Sequence, residues 1–176
     1  VVAGAFGVLM REILLRAGTL AIGAEAARRL GKGTTATEFY EEAFLADPGV
    51  FRRLELEVPV RFEARGDRVA ELAVSRLSGS PRLDEADGGL ILRVQADRSQ
   101  GSACLIGHDK SEIACGRASA KAVDDADVLA KKLVDDFHEK AFAPRIDMGQ
   151  SDINSLDGTN LVRDDALKTL FDGSGS

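Results

Sequence analysis

The chain has no tryptophan, one tyrosine and only eight phenylalanines among its 176 residues. That thins the usual material for base stacking and for aromatic hot-spot interfaces. Histidine occurs twice, at 108 and 138, so nucleophile triads and histidine-rich metal sites have few ways to form. A positive charge excess is also lacking: the formal net charge is -6, which argues against general binding to a phosphate backbone, and no nucleic-acid partner is expected. Arg28, Arg29 and Lys32 form one local basic group and read as a solvated helix end.

Long hydrophobic runs are missing as well. Val1 to Met10 is apolar and glycine-rich, but Arg11, Glu12 and Arg16 interrupt it short of the roughly 20 residues a membrane span needs. The chain opens at Val1 rather than Met, as expected of a processed or trimmed product, and the segment lacks the basic lead of a secretory signal. With 44% hydrophobic and 30% charged residues, the composition is that of an acidic, soluble globular protein with a real core. A cytoplasmic location is expected, or an exported one if the two cysteines pair.

What is present is a change of period. From about Ala5 to Leu30, Phe6, Leu9, Ile13, Leu20, Ala24 and Ala27 recur at helical spacing. Gly18 is expected to break this run, with Thr19 as a fresh N-cap. Thr35-Ala-Thr-Glu38 has the pattern of a capping box opening a second helix, which Asp47-Pro48-Gly49 ends. Leu54, Leu56, Val58, Val60 and Phe62 then alternate with Glu55, Glu57, Pro59, Arg61 and Glu63, the period of a half-buried strand. Arg65-Gly66-Asp67 is expected to turn it into a hairpin that sets Ala70, Leu72 and Val74 opposite Phe62, Val60 and Val58. Pro59, which has no donor for a ladder, marks the first strand as an edge. Further strands are expected at Leu90 to Ala96, after Gly101, and from Glu112 to about Ser119. Asp124 to Phe142 is the strongest helix, with Ala126, Leu129, Ala130, Leu133, Val134, Phe137 and Ala141 on one stripe and Pro144 as its stop.

The expected fold class is therefore α+β: N-terminal helices over 1–49, an antiparallel meander of about five strands plus one covering helix over 50–143, and a tail over 144–176 with a short helix at 161–171. This order resembles, in architecture, the helix-grip lipid- and polyketide-binding folds, with Leu45-Ala-Asp-Pro48 as a local echo and the first 35 residues outside the pattern. The resemblance implies a cavity between sheet and helix for a small apolar ligand. Phe62, Leu72, Val74, Leu92, Ile106, Ile113, Leu133 and Phe137 would line it.

Chemistry-bearing motifs are sparse. Centring the turn of the last hairpin between Asp109 and Lys110 puts Ile106 opposite Ile113 and Cys104 opposite Cys115, within disulfide range and on the face expected to be core. Two buried reduced thiols, a cross-strand disulfide and a metal or redox pair all remain open. Adding His108 gives Cys-x3-His-x6-Cys, which is not zinc-site spacing, lacks a fourth ligand and sets the histidine about 13 Å along the strands, so no metal site is assigned. His138, beside Asp135 and Glu139, reads as a surface histidine and, as the sharper alternative, a general base. Gly31-Lys32-Gly33-Thr34-Thr35 departs from a phosphate loop in its first glycine and in the residue after lysine. Asp152-Ile-Asn154-Ser-Leu-Asp157-Gly158, followed by Asp164, resembles a dockerin-type calcium loop over that loop alone, with one residue too many in its front half. Arg65-Gly66-Asp67 copies an adhesion tripeptide but has its own reason in the turn.

The leading expectation is a non-enzymatic binding or assembly module without cofactor, a homo-oligomer that associates through the N-terminal helix and tail or takes an apolar ligand. The alternatives are a small carboxylate- and histidine-dependent hydrolase or lyase, and an exported structural domain tied by Cys104 and Cys115.

Overall fold

The computed structural model describes residues 2–121 and 125–145; the calcium-like loop at 152–164 and the helix expected at 161–171 lie outside them. Five helices and five strands follow in the order α1 (Val2–Arg29), α2 (Gly33–Ala46), α3 (Val50–Arg53), β1 (Val58–Gly66), α4 (Arg68–Ser78), β2 (Leu83–Glu85), β3 (Leu90–Ala96), β4 (Gln100–Ile106), β5 (Glu112–Ser119) and α5 (Ala126–Ala141). The fold is α+β. No described helix is long and apolar enough to cross a membrane.

The first correction concerns the expected β1 hairpin. Residues Arg68–Ser78 form helix α4, and the Asp67 side chain accepts a hydrogen bond from the Val69 amide as its N-cap. The positions Ala70, Leu72 and Val74 also fit a helical reading, because Val69, Ala70, Ala73 and Leu77 form one buried stripe. A short apolar run satisfies both periods, and the cap decides. Gly66 does not turn a hairpin; it ends β1 beside Ala96 at φ 129°, where a Cβ would run into the Ala96 carbonyl.

The sheet is consequently mixed rather than an antiparallel meander, in the order β2-β1-β3-β4-β5. β1 pairs parallel with both β2 and β3, so it is an inner strand and not an edge. Pro59 is buried opposite Asp84 of the three-residue β2, where a missing ladder donor removes little. Leu54 to Glu57, expected to begin β1, form a turn instead, with Glu55 at φ 53° and the Leu56 amide bonded to the Phe51 carbonyl. β3 and β5 have the expected bounds, and β4 returns antiparallel between them.

Helices α4 and α5 cover one face of the sheet. That face carries Val60, Leu90, Leu92, Val94, Ala103 and Leu105, each at most 1% exposed. Gly116 of β5 lies directly under α5, and a Cβ there would collide with the Phe137 backbone. At the start of β1, β3 and β5 the α1–α2 hairpin docks by side-chain bonds. Thr37 Oγ donates to the Gly88 carbonyl at 2.9 Å, Arg28 pairs with Asp84 at 2.6 Å, and Asp47 accepts from the Arg145 amide at 3.0 Å. Phe44 packs 4.4 Å from Phe51 and 5.7 Å from Phe142, ring centroid to ring centroid, so the hairpin shares the core of the sandwich.

Two helix expectations change in detail. α1 runs unbroken through Gly18, because Thr19 Oγ bonds back to the Leu15 carbonyl at 2.9 Å instead of capping a new helix. α2 starts at Gly33, ahead of the capping-box pattern, with Lys32 at its N-cap and no side-chain cap. Gly116→Ala is expected to destabilise the fold by roughly 1–3 kcal/mol through overpacking, whereas Gly18→Ala, with nothing near its missing Cβ, is expected to be neutral or stabilising by up to about 1 kcal/mol. Urea unfolding of the two variants checks the contrast.

Candidate functional site

Strand register builds the site on the sheet face turned away from α4 and α5. Glu63 pairs with Arg93, Arg93 with Cys104, and Cys104 with Cys115, which lays one row across β1, β3, β4 and β5. The adjacent row reads Arg65, Gln95, Ser102 and Arg117. Since strand side chains alternate between faces, all eight share one side of the sheet. Cys104 and Cys115 therefore lie opposite the helix-covered core, not within it as their spacing suggested.

The two sulfurs lie at bonding distance, with a Cα–Cα separation of 4.2 Å. This close spacing belongs to a non-hydrogen-bonded antiparallel pair. Cys104 is 4% exposed and Cys115 is intermediate. Glu112 sends Oε2 to 3.1 Å from the Cys115 sulfur, and Arg117 holds that same oxygen at 2.9 Å. Arg93, the cross-strand neighbour of Cys104, contacts Glu63 at 3.3 Å. Arg93 thus lies in the row of the cysteines and Arg117 in the adjacent row, each paired with a carboxylate, Glu63 and Glu112 respectively. Beyond the cysteines Arg65, Gln95, Ser102, Arg117 and Ser119 line an open cleft of about 560 Å³.

A second cluster occupies the sheet end under α2. Glu41 is buried at 5% exposure. It accepts the His108 amide at 2.9 Å and faces His108 Nδ1 at 3.0 Å. The hydrogen bond and charge of Glu41 raise the His108 pKa, with smaller help from Asp109 and Glu38 and against slight desolvation. Nearby, Glu25 receives Arg28, Arg29 and Tyr40. Those bonds outweigh its burial and draw its pKa down to about 2, whereas burial and Glu25 push the Tyr40 phenol well above its ordinary range.

A third cluster overturns the reading of His138 as a solvated surface residue. Its ring stacks on Phe142 at 6.3 Å, and Nε2 lies 2.7 Å from Ser80 Oγ in the loop after α4. Ser80 Oγ accepts the Arg82 amide at 3.2 Å, which leaves its own proton to donate to Nε2 of a neutral ring. Burial lowers the His138 pKa, with Arg82 adding to this, while the Val134 backbone and Asp135 act the other way. Ser75, Arg82, Lys131 and His138 are among the residues around an adjoining open pocket of about 620 Å³.

No protein-family model, curated protein or solved structure matches this chain. The site residues are assigned on their geometry alone.

Of the eight residues expected to line an apolar cavity, seven lie in or against one buried core and Ile106 lies apart. Leu92, Leu133 and Phe137 are fully buried in the helix–sheet core, with Phe62 packed against them. Leu72 and Val74 belong to α4, while Ile106 lies on the opposite sheet face, in register with Ile91. Ile113 is not opposite Ile106; it is the extra residue where pairing steps from Leu105–Ala114 to Ile106–Glu112. The Cys104–Cys115 pairing was readable from hairpin symmetry. Glu63, Arg93 and Glu112 were not, because only the strand pairing across β1, β3 and β4 puts the first two in the cysteines' row and only that irregularity brings Glu112 to the Cys115 sulfur. Ser80 carried no signal beyond its loop composition.

His108 also supplies a pH test. Its folded pKa is raised, so the stability it lends through Glu41 is fully present below its unfolded pKa of about 6.5 and is lost as pH rises through the folded value. The difference in Tm between the wild type and His108→Gln is expected to be larger near about pH 6 than near about pH 9. Thermal unfolding in matched buffers reads it, and an equal difference at both pH values removes the ion pair.

Proposed function

We propose that the chain is a binding and assembly module in which α1 joins one copy to another and the α/β sandwich is the unit so displayed. One observation carries this reading. Leu15 and Ile22 are 61% and 59% exposed on the side of α1 opposite Ala17, Ala21 and Ala24, which are fully buried. Residues seven apart in a helix share a face, so the two form one apolar stripe, with Gly18 between them and nothing near its missing Cβ. Burying such side chains in a partner helix is worth about 1.5–3 kcal/mol each. The double variant Leu15→Glu, Ile22→Glu is expected to lower the solution mass to that of a monomer with helical content and Tm retained. Sedimentation equilibrium measures it; a wild-type monomer, or an unchanged oligomer in the variant, defeats the reading.

The Ser80–His138 pair favours a second reading, a small ester- or thioester-hydrolysing site. Ser80 Oγ would attack the acyl carbon while His138 Nε2 takes its proton and returns it to the leaving group. Water would then release the acyl group from serine, and Arg82 and Lys131 favour an acidic acyl chain. Fluorophosphonate is expected to label wild-type Ser80 and to leave Ser80→Ala and His138→Gln unlabelled, as read by intact mass. An unmodified wild type assigns the pair to holding the α4–β2 loop on α5.

The sulfur geometry is compatible with either an oxidising or a reducing compartment, so location stays a proposal tied to the thiol state. An exported domain closed by Cys104–Cys115 and a cytoplasmic one with free thiols differ by two hydrogens in mass.

A further inference from the structure

We propose that reduction of the Cys104–Cys115 pair opens a binding site for a thiophilic divalent cation of the zinc class, with Cys104, Cys115 and Glu112 as its protein ligands. Sγ of Cys104, Sγ of Cys115 and a carboxylate oxygen of Glu112 all lie within 4.8 Å of one another. Three such donors gathered around one point, with the fourth position left to water, form the ligand count of an open zinc site. Two soft thiolates and one carboxylate select zinc-like cations over magnesium or calcium, which take oxygen ligands.

Three features of the surroundings support this assignment. The first is the 3.1 Å approach of Glu112 Oε2 to the Cys115 sulfur. The contact places a carboxylate oxygen beside the sulfur, where it can join a ligand set once the disulfide is reduced. The second is Arg117, whose Nη2 donates to the same carboxylate oxygen at 2.9 Å and holds it in place, as an outer partner holds a metal ligand. The third is the placement of Arg93 next to Cys104 in the same row. Arg93 lies in the cysteines' own row and Arg117 in the adjacent one, so two guanidinium groups with their paired carboxylates frame the site. Glu63 accepts from Arg93 Nε and Nη2 and holds that guanidinium in place, but joins no ligand set.

The reaction sequence balances with one named reagent. A dithiol reductant transfers two electrons and two protons, breaks the Cys104–Cys115 bond and becomes a disulfide itself. Binding of the dication then displaces the two thiol protons to solvent, leaving a site with two thiolates, one carboxylate and one water. The sulfurs must separate from bonding distance to opposite corners of a tetrahedron. Side-chain rotation at two facing strand residues supplies that movement without breaking the β4–β5 ladder. The same pair therefore has two exclusive states, an oxidised staple and a reduced metal site.

The spacing Cys-x3-His-x6-Cys pointed to no metal site, and the fold pairs His108 with Glu41 instead. The ladder irregularity at Ile106 brings Glu112 toward the sulfurs in its place.

Cobalt(II) is the probe, added to full-length protein in its oxidised form and after reduction by a dithiol that is then removed. The reduced protein is expected to bind one equivalent with a thiolate-to-cobalt charge-transfer band that zinc abolishes, and the oxidised protein to give none. Glu112→Gln is expected to weaken binding by about tenfold or more, with thiol count and circular dichroism unchanged; Cys104→Ser is expected to lose the band. The proposal is overturned if the reduced wild type shows no such band, if Glu112→Gln binds as tightly as wild type, or if the oxidised protein binds equally well. A misfolded Cys104→Ser would not rescue or sink it, because the Glu112→Gln comparison keeps both thiols.

Discussion

The close seating of α5 on β4 and β5 governs most of this architecture. Gly116 stands where any side chain would meet the Phe137 backbone, and Leu133 reaches over Gly101 of the neighbouring strand. With the helix that near, Leu105, Ala103, Leu92 and Phe137 exclude water completely. Interiors are packed as densely as organic crystals, and this part of the helix–sheet interface is filled by its own side chains. It also settles which face of β4 and β5 stays outside. Every odd–even choice along these strands, including the side taken by both cysteines, follows from where α5 lands.

The open face is consequently a polar surface with an unusual cargo. Glu63, Arg93, Cys104 and Cys115 come from four strands, and no two of the first three are neighbours in sequence. Their proximity depends on the parallel crossover from β1 through α4 and β2 to β3. Had residues Arg68–Ser78 formed the second strand of a hairpin, β1 would have stood away from β3 and the arginine row would not exist. Asp67, by bonding the Val69 amide, tips a run that suits either period toward helix.

At the far end, buried polar groups do the fastening. Glu41 and Asp47 are nearly sealed from solvent, and each accepts an amide from a distant segment, His108 for Glu41 and Arg145 for Asp47, with the nearby Gly49 amide also on Asp47. Buried carboxylates are tolerated only when so matched, which is why these two positions locate the helical hairpin on the sandwich. α1 thereby presents Leu15 and Ile22 outward while its alanine stripe is used against α2. In the sequence Asp47 read only as part of a helix stop and Glu41 as one of 29 acidic residues; burial singles both out.

Local pattern determined what local forces control. The bounds of β3 and β5, the long amphipathic α5 with its acidic start and the facing of Cys104 on Cys115 were all legible, since period, caps and hairpin symmetry act over a few residues. That no described helix is both long and apolar enough to cross a membrane was equally legible from charge spacing. Tertiary structure decided the rest: α4 in place of a strand, the inner position of β1, the packed core, the half-buried Ser80–His138 pair and the approach of Glu112 to the sulfurs. Each of those depends on contacts between residues dozens of positions apart, or on one irregular step in a ladder. A sequence read by its neighbours carries no term for either.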